Sequence, residues 1–175
     1  MSVFLVVTVI GDDQPGLVEQ LSATISHHGG NWLESSMSHL AGKFAGILRV
    51  EVAAARAEEL KAALGQLAQL KVMAETAVGQ PKRGPNRRWQ LSLVGHDRIG
   101  IVREVSQVLA QYDVNVEKLT THTAPAAMSA EIMFHAHAEL EADAGLDQAA
   151  LQRDLERLSD DLIVDIDLQQ SVEHQ

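Results

Sequence analysis

One turn occurs twice. Gly11-Asp12-Asp13-Gln14-Pro15-Gly16-Leu17-Val18 returns as Gly95-His96-Asp97-Arg98-Ile99-Gly100-Ile101-Val102, each residue number raised by 84. The match runs without a gap through Ser22 and Ser106 to Asn31 and Asn115. A repeat of this kind decides the architecture before any single element is read. It divides the 175 residues into two copies of one small domain. The first is expected over 1–79 and the second over 89–170, with a linker over 80–88 and a tail over 171–175. Units near 80 residues have marginal cores on their own, so packing against each other or a second chain is expected.

Each copy reads as β-α-β-β-α-β. Val3 to Ile10 is an apolar, β-branched run, as in a central strand. The turn follows, with Pro15 placed where a helix start tolerates it. Leu17, Val18, Leu21 and Ile25 then recur at helical spacing, and His27-His28-Gly29-Gly30 ends that helix. Strands are expected over 31–40, 43–52 and 71–78, with Phe44, Leu48, Val50 and Val52 facing inward. A second helix is expected over 55–70, carrying Leu60, Leu64 and Leu67. In the second copy, strands are expected over 89–94, 114–123, 127–138 and 162–168. Its helices are expected over 99–112, with Ile101, Val102, Val105, Val108 and Leu109 inward, and over 146–158. Two one-striped helices on one face of a four-stranded antiparallel sheet make a ferredoxin-like α+β unit.

Composition narrows the function. Acidic residues outnumber basic ones 24 to 14, giving a net charge of −10. A nucleic-acid backbone would be repelled, and only 3% of residues are aromatic, too few for base-stacking platforms. There is no cysteine, hence no disulfide, thiolate nucleophile or Cys-based zinc site. No basic leader precedes the first strand, and no apolar run reaches membrane-spanning length. The expectation is a cytoplasmic protein with no membrane contact, no cofactor and no metal. His135 and His137 share a strand face and with His122 or His96 nearby could form a metal site, but solvated histidines are the expectation there. Trp32 and Trp89 are expected to anchor packing. Lys82, Arg83, Arg87 and Arg88 are expected in a solvated linker.

The turn opening a helix, followed by Asn31 or Asn115 at the next strand, resembles the ACT domain. Asp13, Pro15, Gly16, Leu17 and Asn31 carry the resemblance in the first copy, and Asp97, Gly100 and Asn115 in the second. Two such units without an attached enzyme are similar to the glycine cleavage system transcriptional repressor family. The resemblance implies a non-enzymatic regulator that binds a small amino acid such as glycine, acts on a protein partner such as a transcription factor, and forms a homodimer. It implies ligand contacts from Asp13 with Asn31 and from Asp97 with Asn115.

The physics of the turn agrees, because a helix start offers unpaired N–H groups to a carboxylate. Gln14, Gly16 and Leu17, and His96, Arg98, Gly100 and Ile101, complete the two candidate loops. A second reading stays open for the same residues. Asp13 and Asp97 would serve as helix N-caps, and the glycines and asparagines would only shape turns. At the level of function, a pure dimerisation module is the alternative. A hydrolase on this scaffold would need an anion cradle, which only Arg98 could supply.

Overall fold

The computed structural model describes residues 1–79 and 85–169. The inner part of the expected linker, 80–84, with Lys82 and Arg83, and the tail over 171–175 lie outside them. The chain divides into two compact units, Met1–Gln80 and Pro81–Gln175.

The first unit runs β1 (Ser2–Asp12), α1 (Leu17–His27), β2 (Asn31–Leu40), β3 (Lys43–Ala53), a 3-10 turn (Ala54–Arg56), α2 (Ala57–Gly65) and β4 (Lys71–Thr76). The second runs β5 (Asn86–His96), α3 (Ile101–Gln111), β6 (Asn115–Pro125), β7 (Ile132–Asp143), α4 (Gln148–Glu156) and β8 (Ile163–Leu168). The sheet orders are β2-β3-β1-β4 and β6-β7-β5-β8, and every pairing is antiparallel. Each unit is the ferredoxin-like arrangement.

Strand periodicity sets the core. Leu5, Val7 and Val9 of β1 are buried and pack with Leu17, Leu21 and Ile25 of α1 and Leu60 and Leu64 of α2. Phe44, Leu48, Val50 and Val52 join them from β3. Trp89, Leu91 and Leu93 of β5 play the same part in the second unit, with Ile101, Val108, Leu109, Leu151 and Leu155. Burying a Leu of this kind contributes roughly 2–3 kcal/mol. The intervening strand residues form an opposite, uncovered face, where Phe4 and Ile10 are exposed.

Several boundaries differ from the sequence reading. Strand β5 begins at Asn86, three residues before the expected Trp89. The polar start of β5 is held by β6 and β7: Asn86 donates to Glu141 at 2.9 Å, and Arg88 lies 3.2 Å from Glu117. Helix α2 stops at Gly65, so Leu67 packs on the core from a turn rather than from the helix. Strand β7 starts at Ile132, not at residue 127, because the β6–β7 hairpin crosses there: Ala126 N–H bonds to Glu131 at 2.7 Å. Val18 and Val102, expected to face inward, are exposed. Trp89 is buried, and Trp32 is partly buried against its core.

Candidate functional site

The repeated turn owes its shape to its two glycines. A Cβ on Gly11 would lie 2.4 Å from the carbonyl oxygen of Gln69, and one on Gly95 would lie 2.6 Å from Leu162 Cδ1. The first glycine therefore lets the loop before the last strand pass against the turn. The second sits at φ +92° in Gly16 and +88° in Gly100, a left-handed conformation costing a residue with a Cβ about 1–2 kcal/mol. A backbone bond fastens the turn to the neighbouring hairpin, Asp13 N–H to Gly42 O and Asp97 N–H to Ile132 O, both at 3.0 Å.

The expected N-caps are not caps. Gly16 and Gly100 occupy the N-cap positions, and neither helix start has a side-chain hydrogen bond. With a left-handed glycine as N-cap, the aspartate three residues earlier makes no hydrogen bond to the first turn. Asp13 instead lies 3.5 Å from His39, and Asp97 has no side-chain partner among the described residues. Gln20 N–H and Glu104 N–H bond back to Gly16 O and Gly100 O. The N–H groups of Val18 and Glu19, and of Val102 and Arg103, have no partner among the described residues. They lie at the positive end of each helix. Leu17 and Ile101 bury their side chains in the core, so only their backbone can face a ligand. Gln14 is exposed.

Within a unit the structure separates the aspartate from its asparagine. Asp13 bonds to Gly42 at one end of β3, whereas Asn31 pairs with Glu51 at the other. Nine residues of strand put them about 30 Å apart. Asn115, opposite Glu141, is likewise remote from Asp97. The sequence showed both residues but not that the intervening helix runs the length of the sheet between them.

The two turns differ in charge. In the first, Asp12 pairs with Lys43, its cross-strand neighbour, and the ammonium holds the carboxyl below its ordinary range. An open cleft of about 380 Å³ borders this turn, lined by Ile10, Gly11, Asp12, Lys43, Gln69 and Lys71 among others. In the second, His96 takes the place of Asp12. Its Nε2 lies 2.7 Å from Glu131 and its Nδ1 2.6 Å from Asp161. Hydrogen bonds to Glu131 and then Asp161 raise its pKa above 6.5. Asp161 also receives hydrogen bonds from Ser159 and the His96 N–H, which hold it far below an ordinary carboxyl. Lys43, Lys71, Glu131 and Asp161 were not among the sequence candidates. They come from other strands and loops, and only the pairing register brings them to the turn.

Arg98 is not free to cradle an anion. It pairs with Glu104 on α3 and lies 3.4 Å from the Leu158 carbonyl in the turn after α4. Elsewhere, His122 and His135 stack across β6 and β7 with ring centres 4.6 Å apart, and Ser92 lies 3.1 Å from His137. Among the described residues no group of three or more His, Asp or Glu side chains is arranged to hold a metal ion.

Two ferredoxin-like modules, each with an uncapped helix behind a glycine turn, define the class. Models of the ACT domain match residues 3–75 and 89–156. The chain belongs to the ACT-domain family, as a tandem pair. Among solved structures it is similar to an unknown protein from Galdieria sulphuraria. That match has 26% identity and a TM-score of 0.87, over 97% of this chain and 100% of that one. It is also similar to a protein provisionally named a glycine cleavage system transcriptional repressor. Here the identity is 19% and the TM-score 0.69, over 98% and 99% of the two chains, which is a likeness of fold. No curated protein matches the chain significantly. No helix among the described residues is long and apolar enough to cross a membrane.

Proposed function

We propose that the chain is a non-enzymatic regulator that senses a small amino acid, glycine or one of similar size, and modulates a protein partner, a transcriptional regulator. The observation carrying this reading is the open helix start behind each repeated turn. The N–H groups after Gly16 and after Gly100 suit an α-carboxylate. Asp13 and Asp97, displaced from capping, are acceptors for the ammonium group of the same ligand. Gln14 and His96 border these positions. Asn31 and Asn115 enter the reading only as residues supplied by another copy of the fold, since neither reaches the turn of its own unit. The provisional name of the repressor-like structure, and the tandem ACT arrangement, support the regulatory role.

The two turns are unequal sites. The first has an open cleft beside it. In the second, His96 and Arg98 are both engaged internally. Ligand is expected first at the turn of Asp13. The engagement of Arg98, the cation the turn itself offers for an anion cradle, also speaks against a hydrolase.

Calorimetric titration of the full chain with glycine, serine and the other amino acids tests the reading. Saturable heat with one of them, lost in Asp13→Ala but kept in Asp97→Ala, is the expected result. Absence of heat with every amino acid, in folded protein, removes the small-molecule part and leaves a dimerisation module. Recovery of a transcription factor from lysate, altered by adding the amino acid, tests the partner.

A further inference from the structure

The first strand of each unit ends differently. Asp13 N–H and Asp97 N–H both bond toward the neighbouring hairpin. The residue before each therefore turns its N–H the other way, toward the edge of the last strand. In the second unit that N–H belongs to His96, and it meets Asp161 Oδ2 at 2.6 Å. The same carboxylate lies 2.6 Å from His96 Nδ1 and accepts from the Ser159 hydroxyl. The second unit thus finishes its central strand with a carboxylate of its own.

The first unit has no such carboxylate. Lys71 stands opposite Ile10 as Ile163 stands opposite Val94, so Gln69, two residues before Lys71, holds the place of Asp161. Its side chain is turned to Gln20, whose Nε2 donates to it at 2.8 Å. The β1–β4 ladder stops at Ile10 and Lys71. Among the described residues, the loop before β4 gives the Asp12 N–H no backbone acceptor. The open cleft of about 380 Å³ lies here, within the size range of small-molecule sites. Two cations border it. Lys43 stands where the second unit has Met133, and Lys71 where it has Ile163. Lys43 is paired with Asp12, whereas Lys71 has no side-chain partner among the described residues. Two lysines against one aspartate leave a single positive charge, the complement of one carboxylate. Ile10 lines the same cleft and is exposed, an apolar rest for the carbon body of a ligand.

We propose that this cleft binds the carboxylate of a small organic acid, at the place where the second unit carries Asp161. The Asp12 N–H and the Lys71 ammonium are its donors. The site is distinct from the helix start after Gly16, and it stands whether or not an amino acid binds there. Titration of the full chain with propionate, followed by amide NMR at constant ionic strength, tests it. Propionate has no ammonium group, so the result is independent of any amino-acid titration. The Asp12 amide is expected to shift saturably while the His96 amide stays in place, because Asp161 already fills the second site. Lys71→Gln removes a charged donor and is expected to weaken binding about tenfold. Gln69→Asp supplies the carboxylate from within and is expected to abolish the response. Both positions are exposed, and the spectrum itself verifies the folding of each variant. No saturable shift of Asp12 up to about 100 mM propionate, which covers even weak binding, overturns the proposal. So does a shift that both variants leave unchanged, because it would come from another site.

Discussion

His96 occupies the position of Asp12 in the repeat, and the charge of its strand-side partner is reversed with it. Asp12 pairs with Lys43, and His96 with Glu131, 2.7 Å away. The ion pair at the base of the turn is thus kept while its polarity is inverted. Only the second version responds to pH near neutrality, because only it contains an imidazole.

His96 is engaged by carboxylates at both ring nitrogens, an arrangement satisfied fully by imidazolium alone. Its pKa is raised in the fold. The contribution is therefore complete below 6.5, the ordinary histidine value, and is lost as pH rises through the raised value. Asp161 is depressed, so its contribution is complete above the ordinary carboxyl value of 3.8 and is lost on acidification below it. NMR titration is expected to show His96 with a midpoint above 6.5, and to show the amides of Asp97 and Glu131 shifting with it. A midpoint at or below 6.5 would refute the clamp.

Among the aspartates at helix starts, only Asp147 caps. Its Oδ1 accepts from Ala150 N–H at 3.1 Å. Asp147→Ala is expected to cost about 1 kcal/mol in urea unfolding. Asp13→Ala and Asp97→Ala are expected to stay within about 0.5 kcal/mol of the parent, as exposed changes do. A loss of about 1 kcal/mol at Asp13 would restore the capping role that its position in the sequence suggests.

Alanine at the first glycine of each turn separates a backbone collision from a side-chain one. Gly11→Ala meets the Gln69 carbonyl, and Gly95→Ala meets the movable end of Leu162. Overpacking costs typically about 1–3 kcal/mol. Gly11→Ala is expected near the upper end and Gly95→Ala near the lower, measured by unfolding of the full chain. The reverse order would contradict the geometry.

Tyr112 is the single tyrosine of the chain, so absorbance near 295 nm follows it alone. Its hydroxyl donates to Asp154 at 2.5 Å, joining α3 to α4, and this raises its pKa above 10.0. The phenol is expected to titrate above 10 in the parent and lower in Asp154→Asn. An unshifted midpoint in that variant would remove the helix-to-helix bond.

The strands and helices of the first unit were legible because their apolar residues alternate or recur at helical spacing without interruption. The errors fell where local composition and tertiary pairing disagree. Asn86 to Arg88 look like linker, yet Glu117 and Glu141 recruit them to β5. Ala127 and Met128 look like strand, yet they form the hairpin tip, where Met128 is 98% exposed. The site was legible as a place, since the repeat pointed to the turn. Its chemistry was not. That Asp13 is a neighbour of His39, that Lys43 answers Asp12, and that Asn31 lies at the far end of the sheet all depend on register, which a motif does not encode.

The sheet orders set the timetable of folding as well. Strand β1 is central, paired with β3 from Ser2 opposite Ala53 and with β4 as far as Leu5 opposite Thr76. It is synthesised before either partner, and its β4 edge stays unpaired until β4 has emerged. Pairings so distant in sequence are slow to close, and an apolar strand left waiting is exposed to aggregation. The second unit repeats the sequence of events with β5. Each synthesis therefore passes through two vulnerable intervals, each ended by the arrival of a six-residue strand.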